Sequence, residues 1–464
     1  MNLLSSFVPV GTHPHPSLSI TLVALNAAYA HTSFALRCVK TELTASGISP
    51  DRIRILEFDS QFSPLQIAEK ILATSPDAIG FSVYIWNVES VVSVMRIIRT
   101  ANPEIRIVVG GPHIIKGDDR EGIQSLADAA FYGEAETNIE SSPPPLSVSP
   151  YSLYTDDDIA HRVIYAETSR GCPFSCEYCT SASSGGIRFF PLEPLLREFE
   201  TLVARGVRRF KFLDRSFNLG GAQSLAVLDF FRGKIDSPDW RLHFEFTPDA
   251  LNTEWREVLK KFPPKVLHIE VGIQTFNDEV ARRIKRPLRP AIAEETLRFL
   301  IDEARASVHA DLIAGLPGET LESFAAGFDR LLTFRPDELQ VGILKNLPGS
   351  AISRHDTLFG VVWNPLPPYQ ILSWQSLDFA TMRGLERFAK CWDTLYNRDR
   401  FKDTAPLLWS DGASAFSRVW RLAEMIYAKQ GRLHALSPKT LAAHLNEFLS
   451  SLPHGASLQR GASL

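Results

Sequence analysis

The sequence predicts an α/β protein in three parts: a doubly wound, Rossmann-like N-terminal unit, a partial (β/α)6 barrel and a mainly helical C-terminal region. Three observations carry that expectation. Apolar strand runs alternate with amphipathic helical text from Leu18, a Ser- and Pro-rich break interrupts them near Glu140, and a second alternating series continues to about Ser350. Such alternation implies parallel strands joined by right-handed crossovers.

In the first series LSITLVAL, RIRILEFD, AIGFSVY and RIVVGGP read as strands. The first helix starts near Ser33, sets Leu36, Val39 and Leu43 on one face and stops at Gly47. Ser63 and Pro64 take the N-cap and first position of the second helix, and a third follows Asn87. Residues 1–17 are expected to be a flexible terminus, 18–140 the doubly wound domain, and 141–160 a linker, because SSPPPLSVSPYSLYTDDD has no periodicity. VIYAET, RRFKFLD, RLHFEFT, VLHIEVGIQ, HADLIAGLP and ELQVGILKN then supply six strands within 161–350. Helical stretches near Ala415 to Lys429 and after Ser437 mark the region 351–464. In both sheets ligands are expected at the carboxyl ends of the strands.

Composition excludes several classes without naming an activity. With 45% apolar and 22% charged residues, the 464-residue chain is neither collagen-like, coiled-coil nor generally disordered. Lys plus Arg total 49 against 53 for Asp plus Glu, a net charge of −4, so a dedicated nucleic-acid binder is not expected. Five cysteines cannot build a disulfide framework, and they point to a reducing, cytoplasmic setting. The opening MNLLSSFVPVGTHPHP lacks the basic start of a secretory signal. No apolar run reaches the roughly 18 residues of a membrane helix.

Cys172, Cys176 and Cys179 lie in ETSRGCPFSCEYC, directly after a strand, where Gly171 and Pro173 enforce a loop. Three thiolates suit a four-iron cluster with one iron left open. Structural zinc wants four closed ligands, and no fourth Cys or His stands in this loop, His161 lying beyond the strand. The C-x3-C-x2-C spacing, with Tyr178 before the last cysteine, resembles the radical S-adenosylmethionine (SAM) enzymes. That resemblance implies a 4Fe-4S cluster whose open iron chelates SAM, reductive cleavage of SAM to a 5′-deoxyadenosyl radical, and an electron donor such as flavodoxin or ferredoxin.

HIEVGIQTFNDEVARRIKRP and HADLIAGLPGET resemble the branch that includes oxygen-independent coproporphyrinogen oxidase. Matched residue by residue, Glu245, Gln274, Arg286 and Asp311 are implied to bind SAM, beside Tyr178. Gln and carboxylates can hydrogen-bond ribose hydroxyls or an ammonium, and Arg pairs with a carboxylate in a fork. The plainer alternative makes Arg286 part of a solvated charge run with Arg282, Arg283 and Lys285, and turns Glu245 outward. FLDRSFN replaces the family's glycine-rich turn, and Asp214 either shares in binding the SAM amino group or caps the following helix.

A doubly wound unit ahead of such a core resembles a cobalamin-binding domain. Ser82 and Tyr84 in FSVYIWN, and Gly110 and Gly111 in VVGGPHI, match that family's corrinoid-tail contacts. NAAYAHTSF stands where methionine-synthase-type domains have D-x-H-x-x-G: His31 is in the right loop, but Tyr29 and Phe34 replace the Asp and Gly. Without the supporting carboxylate, His31 reads as a loop or core histidine, and cobalamin is expected to lack a protein imidazole ligand. Tyr84 and Trp86 are candidates to border the corrin instead. Cys38 and Cys391 read as buried packing residues. GILKNLPGS, PPYQILSW and TLYNRDRF resemble the C-terminal region of cobalamin-binding radical SAM proteins whose substrates are unassigned.

The sequence therefore reads as a cobalamin-dependent radical SAM enzyme transferring a methyl group to an unactivated carbon or phosphorus centre of an unidentified substrate. A radical rearrangement or oxidation without methyl transfer is the alternative within the class, and a non-catalytic, zinc-stabilised binding protein the alternative outside it. A tRNA methylthiotransferase is disfavoured, because Cys38 alone stands where that family needs a second cluster's three cysteines.

Overall fold

The computed structural model describes residues 3–8, 18–134, 149–183, 185–286 and 288–452. In the N-terminal domain β1 (Ile20–Leu25), β2 (Ile53–Phe58), β3 (Ala78–Ser82), β4 (Arg106–Gly110) and β5 (Ala129–Ala130) form a parallel sheet in the order β2-β1-β3-β4-β5. The central strands β1 and β3 are buried at every position, as strands covered on both faces must be. Helices α1 (Leu3–Phe7), α2 (Phe34–Ala45), α3 (Pro64–Leu72), α4 (Val88–Ala101) and the short α5 (Ile123–Leu126) accompany the sheet. Ser33 caps α2, and Ser63 with Gln66 forms a reciprocal capping box on α3, ahead of Pro64. Strand order reverses between β1 and β3, so the domain's crevice opens at their carboxyl ends.

Two boundary expectations need correction. The described part of the N-terminus is not loose: Leu3 and Phe7 of α1 are buried against the sheet with Leu22 and Val108. The described part of the expected linker, from 149 onward, belongs to the second domain's core. Tyr151 and Tyr154 are buried there, and α6 (Asp156–His161) starts from a capping box at Thr155. Residues 9–17, 141–148 and 453–464 of the expected terminus, linker and tail lie outside the described residues.

The second domain is built on β6 (Ile164–Ala166), β7 (Ser169–Cys172), β8 (Gly186–Phe189), β9 (Arg209–Phe212), β10 (Arg241–Phe246), β11 (Leu267–Gln274), β12 (Ser307–Ala314) and β13 (Glu338–Ile343). Six of these make an open parallel sheet in the order β13-β12-β11-β10-β9-β6. The antiparallel hairpin β7–β8, unexpected from the sequence, leaves that sheet to carry Cys172 at the end of its first strand. Along β10, β11 and β12 burial alternates strictly. The buried residues face the crossover helices in an aromatic core where Phe212 stacks on Phe244 at 4.6 Å and meets Phe199 edge-on. The intervening residues line the concave face.

An open sheet exposes an edge that must be covered. The C-terminal region does so: the Trp392 indole donates to the Leu339 carbonyl at 2.7 Å, and Asn397 exchanges two further bonds with the Leu339 backbone. That region is mainly helical, with a small antiparallel strand pair, Val362–Trp363 and Ile371–Ser373, in addition. Among the described residues no helix is long and apolar enough to cross a membrane.

The two sheets are joined across a buried charge cluster. Arg37 on α2 lies 2.8 Å from Asp158 on α6 and 3.3 Å from Glu57 on β2, and Arg162 also reaches Glu57 at 3.3 Å. The Arg37 guanidinium sits over the Tyr154 ring at 4.4 Å, and Val163 N donates to the Ala30 carbonyl beside it. Removing one member of a buried pair leaves the others charged and unpaired. Arg37→Met should therefore destabilise the protein by about 3–5 kcal/mol, read as a lower urea midpoint, whereas an effect under about 1 kcal/mol would reduce the cluster to a surface pair.

Candidate functional site: the cysteine hairpin and the cavity between the sheets

The cysteine loop is irregular backbone, and polar side chains hold it from three directions. From below, the buried Asp214 carboxylate accepts from Thr168 N at 2.9 Å, Thr168 Oγ1 at 2.5 Å and Ser169 Oγ at 2.6 Å. Both roles expected for Asp214 give way to this one: it neither caps the following helical turn, whose N-cap is Ser216, nor offers a free oxygen to a ligand, but roots β7. Within the loop, Glu177 is buried and meets His355 Nε2 and Arg354 Nε, each at 2.7 Å, and Lys285 Nζ at 3.3 Å. Its backbone N–H donates to the Ile284 carbonyl. From the side, Tyr178 and Arg286 both reach the Cys176 thiol; burial pushes that thiol up, and these two donors pull it toward the thiolate.

Cys176 is buried, whereas Cys172 and Cys179 are partly exposed. Among the described residues no set of three His, Cys, Asp or Glu side chains is drawn closely enough together to hold a metal ion. The thiols share one loop without converging on a point. Their chemistry still suits a four-iron cube, since three soft ligands stand ready with no closing fourth.

Above the loop, the end of β11 is distorted in a way that gathers the expected SAM residues. The register with β12 slips between Gly272 and Gln274, and Gln274 takes the left-handed φ of +70°. At Gly272 a Cβ would crowd the far end of the Gln274 side chain, coming within 2.4 Å of its Nε2. Its carbonyl accepts from Arg286 Nη2 at 2.7 Å, and Asp311 stands opposite it in register on β12. Arg286 also lies over the Phe174 ring, so it is docked on the cysteine loop rather than sharing a solvated helix face with Arg282. Arg286 Nε is buried with no hydrogen-bond partner among the described residues, and the buried Asp311 Oδ1 faces the His309 imidazole at 3.1 Å. A buried donor left unpaired near a buried carboxylate fits a zwitterionic ligand such as SAM. Glu245 sits one layer deeper on β10, facing inward, 3.5 Å from Arg215.

The concave face was not legible as a site. Its residues come as His243-Phe-Glu245, His268-Ile-Glu270 and His309-Ala-Asp311 on three adjacent strands, with Lys211 on β9 and Glu338 on β13 completing the rows. His243 stacks on His268 at 4.5 Å and pairs with Glu270 at 3.1 Å, while His309 lies 3.1 Å from Asp311 and 3.5 Å from Glu338. Burial, reinforced by His243 and His309, lowers His268 to about 3. Burial acts against Glu270 ionising, but the His243 hydrogen bond and the charges on His309 and Lys211 hold it below the ordinary carboxylate range. The repeated His-x-acid spacing was the signal that could have found this face.

At the other wall, the N-terminal domain presents its strand ends to a cavity of about 740 Å³ that both domains line. Ser82, Tyr84, Gly110 and Gly111 border it from one side, and Ser169, Arg170, Gly171 and Thr180 of the cysteine hairpin from the other. Gly111, at φ +109°, is the glycine that geometry demands: a Cβ would sit 2.6 Å from the Val83 carbonyl, whereas at Gly110 it would meet only ordinary contact. Tyr84 and Trp86 stack at 4.3 Å on the rim. These small and aromatic groups at a switch point fit a bulky planar cofactor with an extended tail. His31 lines the same cavity, its Nδ1 2.7 Å from the Tyr165 hydroxyl; burial and the nearby Lys211 push its imidazole below the ordinary value. Cys38 and Cys391 are buried, the Cys38 sulfur accepting from Arg170 Nη2 at 3.8 Å, and His161 pairs at the surface with Asp157.

Glu245 gives the site a pH signature. Burial, with Glu270 and Asp311 nearby, raises its carboxyl from 4.5 to about 7. The folded protein thus holds a proton that the unfolded chain releases, so this stabilisation is complete below about pH 4.5 and is lost as pH rises through about 7. Cofactor-free Glu245→Gln should lose less stability than the parent between pH 5 and pH 8, by up to roughly 3 kcal/mol in urea titrations. Parallel losses in the two proteins would mean that Glu245 titrates normally.

Comparison with known proteins assigns the two walls separately. The radical SAM superfamily model matches residues 166–331 and the B12 binding domain model residues 20–141, while a family described only as of unknown function matches 357–458. The ribosomal protein uS12 methylthiotransferase RimO of Geobacter sulfurreducens is 30% identical over 257 residues, covering 50% of this chain and 54% of that protein. Its counterpart in Nostoc sp. is 27% identical over 241 residues, covering 50% and 51%. The chain thus spans about half the length of these curated relatives. Among solved structures, the radical SAM methyltransferase TsrM of Kitasatospora setae superimposes with a TM-score of 0.57 at 16% identity, over 77% of this chain and 80% of that one. A second TsrM structure, with cobalamin and a 4Fe-4S cluster bound, gives 0.55 at 15% identity over 75% and 77%. The fold is therefore shared along most of the chain, which carries a B12 binding domain over residues 20–141 and a radical SAM domain over residues 166–331, the domains that take cobalamin and a 4Fe-4S cluster with SAM.

Proposed function

We infer that the protein is an enzyme that transfers a methyl group to an unactivated centre of its substrate. The observation that carries this reading is the single cavity shared by the B12-binding strand ends and the cysteine hairpin. When bound, the cluster and SAM supply a 5′-deoxyadenosyl radical, and cobalamin supplies a transferable methyl group. The chain's own residues bind, orient and enclose them.

Cys172, Cys176 and Cys179 are the cluster ligands in this reading, with Tyr178 and Arg286 stabilising the Cys176 thiolate. Arg286 offers its unpaired Nε to the SAM carboxylate, and Gln274, Asp311 and Glu245 offer acceptors and donors to the remaining polar groups of SAM. Ser82, Tyr84, Gly110 and Gly111 cradle the corrinoid. Holding both partners at one cavity converts an encounter in solution into a positioned reaction. The electron comes from a donor of the flavodoxin or ferredoxin type, and five cysteines with no disulfide among them suit a cytoplasmic, reducing setting. Nothing in the charge balance favours nucleic acid as substrate.

The methylthiotransferase relatives raise sulfur insertion as a second reading. Beyond the triplet the chain has only Cys38 and Cys391, buried and in separate domains, so it has no three-cysteine set for a second cluster. Methyl transfer without sulfur is the better account.

Anaerobic reconstitution with iron, sulfide and cobalamin, followed by reduction with SAM, tests the proposal. 5′-Deoxyadenosine should form, and Cys176→Ala should abolish it with loss of iron. Full iron and full product in that variant would overturn the ligand assignment, and zinc in place of iron would favour a non-catalytic binding protein. With the true substrate, S-adenosylhomocysteine and 5′-deoxyadenosine should appear in nearly equal amounts and depend on cobalamin; 5′-deoxyadenosine alone would indicate a radical rearrangement or oxidation.

Arg286→Ala should weaken SAM binding by about 1–3 kcal/mol with the cluster intact, measured by calorimetry on the reconstituted protein. Unchanged affinity would remove Arg286 from the SAM site.

A further inference from the structure

We propose that Arg215 binds an oxyanion of the substrate, a carboxylate or a phosphoryl group, and thereby holds the methyl acceptor between the two domains. This rests on the methyl-transfer reading above and names a substrate class for it. Arg215 follows β9 in FLDRSFN, the stretch whose acid, Asp214, is spent on rooting β7. It lines the shared cavity from the barrel side.

Its position relates to both walls. Arg215 Nη1 lies 3.5 Å from Oε1 of Glu245, one of the residues assigned above to SAM. Toward the other wall stands Tyr84, after β3 of the N-terminal domain: burial raises the Tyr84 phenol, and the nearby Arg215 opposes that rise. A methyl acceptor has to meet a radical formed at one wall and a methyl group carried at the other. A grip on the substrate is needed at this place, so that the encounter is a positioned one.

The charge of Arg215 is not spent within the protein. The other arginine on the cavity wall, Arg170, pairs with Glu167 at 2.7 Å and Glu134 at 3.6 Å. Among the described residues Arg215 has only the long contact to Glu245, a carboxyl that burial raises to about 7 and that is therefore only partly ionised at neutral pH. The rest of the guanidinium is unpaired there, and 53% of the side-chain surface is open. Its backbone, in contrast, is fixed. Ser216 Oγ donates to the Arg215 carbonyl at 2.7 Å and accepts from Thr247 Oγ1 at 3.1 Å, while Asn218 exchanges two hydrogen bonds with the Thr247 backbone. An open guanidinium on a pinned backbone offers a planar fork, which matches two oxygens of a carboxylate or phosphoryl group.

The test uses the protein reconstituted with its cluster and with cobalamin in the paramagnetic cobalt(II) state, with SAM present and the cluster oxidised. Titrations follow the phosphorus relaxation of inorganic phosphate and, separately, the carbon relaxation of carboxyl-labelled acetate. Saturable paramagnetic enhancement should appear for at least one anion, and the tighter binder tells a phosphoryl from a carboxylate substrate. Arg215→Gln should weaken that anion by roughly tenfold or more, with SAM affinity and bound cobalamin as in the parent. Arg215→Lys, which keeps the charge and loses the fork, should fall between the two. No saturable enhancement with either anion, or equal affinity in the parent and Arg215→Gln, would overturn the proposal. Loss of SAM affinity or of bound cobalamin on substitution would move Arg215 into a cofactor site and overturn it as well. A parent protein that takes up no cobalamin would instead overturn the methyl-transfer reading on which the proposal stands.

Discussion

The guanidinium of Arg37, withdrawn from water at the seam between the two sheets, is the interaction on which the remaining geometry depends. Burial alone disfavours its charge, yet Glu57, Tyr154 and Asp158 together more than compensate, and the group stays a cation. Such a charge tolerates no loosening, since each partner that moves away leaves an ion in a poor solvent. Two further contacts close the ring. Arg120 bonds the Asn346 carbonyl and covers the Tyr369 ring at 4.9 Å, and Glu134 pairs with Arg188 of the cysteine hairpin. The carboxyl ends of two parallel sheets, each a natural ligand edge, are thereby held facing one cavity.

The same logic of polar side chains bracing irregular backbone recurs in the cysteine loop. Asp214 roots its strand, Arg286 ties it to the end of β11, and Glu177 ties it to Arg354 and His355. The last of these gives the C-terminal region a mechanical connection to the cluster loop. One segment of it bonds the loop's carboxylate while another covers the edge of β13, so the region braces the barrel at two places. The buried Glu177 carboxylate is costly unless paired, which makes this brace specific rather than incidental.

What could be read from the sequence was local, and what could not was set by packing at a distance. The capping box at Ser63 and the alternation of strands with helices depend on residues within a few positions of one another. Tyr151 and Tyr154 sit in a segment whose composition says linker, but their rings fill the space beneath Phe199 and Arg37, more than thirty positions away in either direction. Asp214 was open to two readings because its partners, Thr168 and Ser169, precede it by a whole crossover. The cysteine triplet was legible because its spacing is itself the chemistry. The hydrogen-bond partner of His31 was hidden for the opposite reason, since Tyr165 lies 134 positions away and in another domain.

The concave face of the barrel completes this picture. A closed (β/α)8 barrel fills its lumen with branched apolar side chains and seals it. Here the inward rows of β9 to β13 hold Lys211, three histidines and four carboxylates, while the outward rows are apolar and buried. Ionisable groups contribute less to folding stability than leucine or valine would at the same positions, and here they pair with one another. Donors and acceptors alternate: Lys211 and His243 flank Glu270, and Asp311 and Glu338 flank His309. An interior of this kind does not serve as a packed core. It preserves room and hydrogen-bonding capacity directly below the Gly272 and Asp311 level, on groups already paired and oriented, and it meets the shared cavity where Arg215 reaches Glu245.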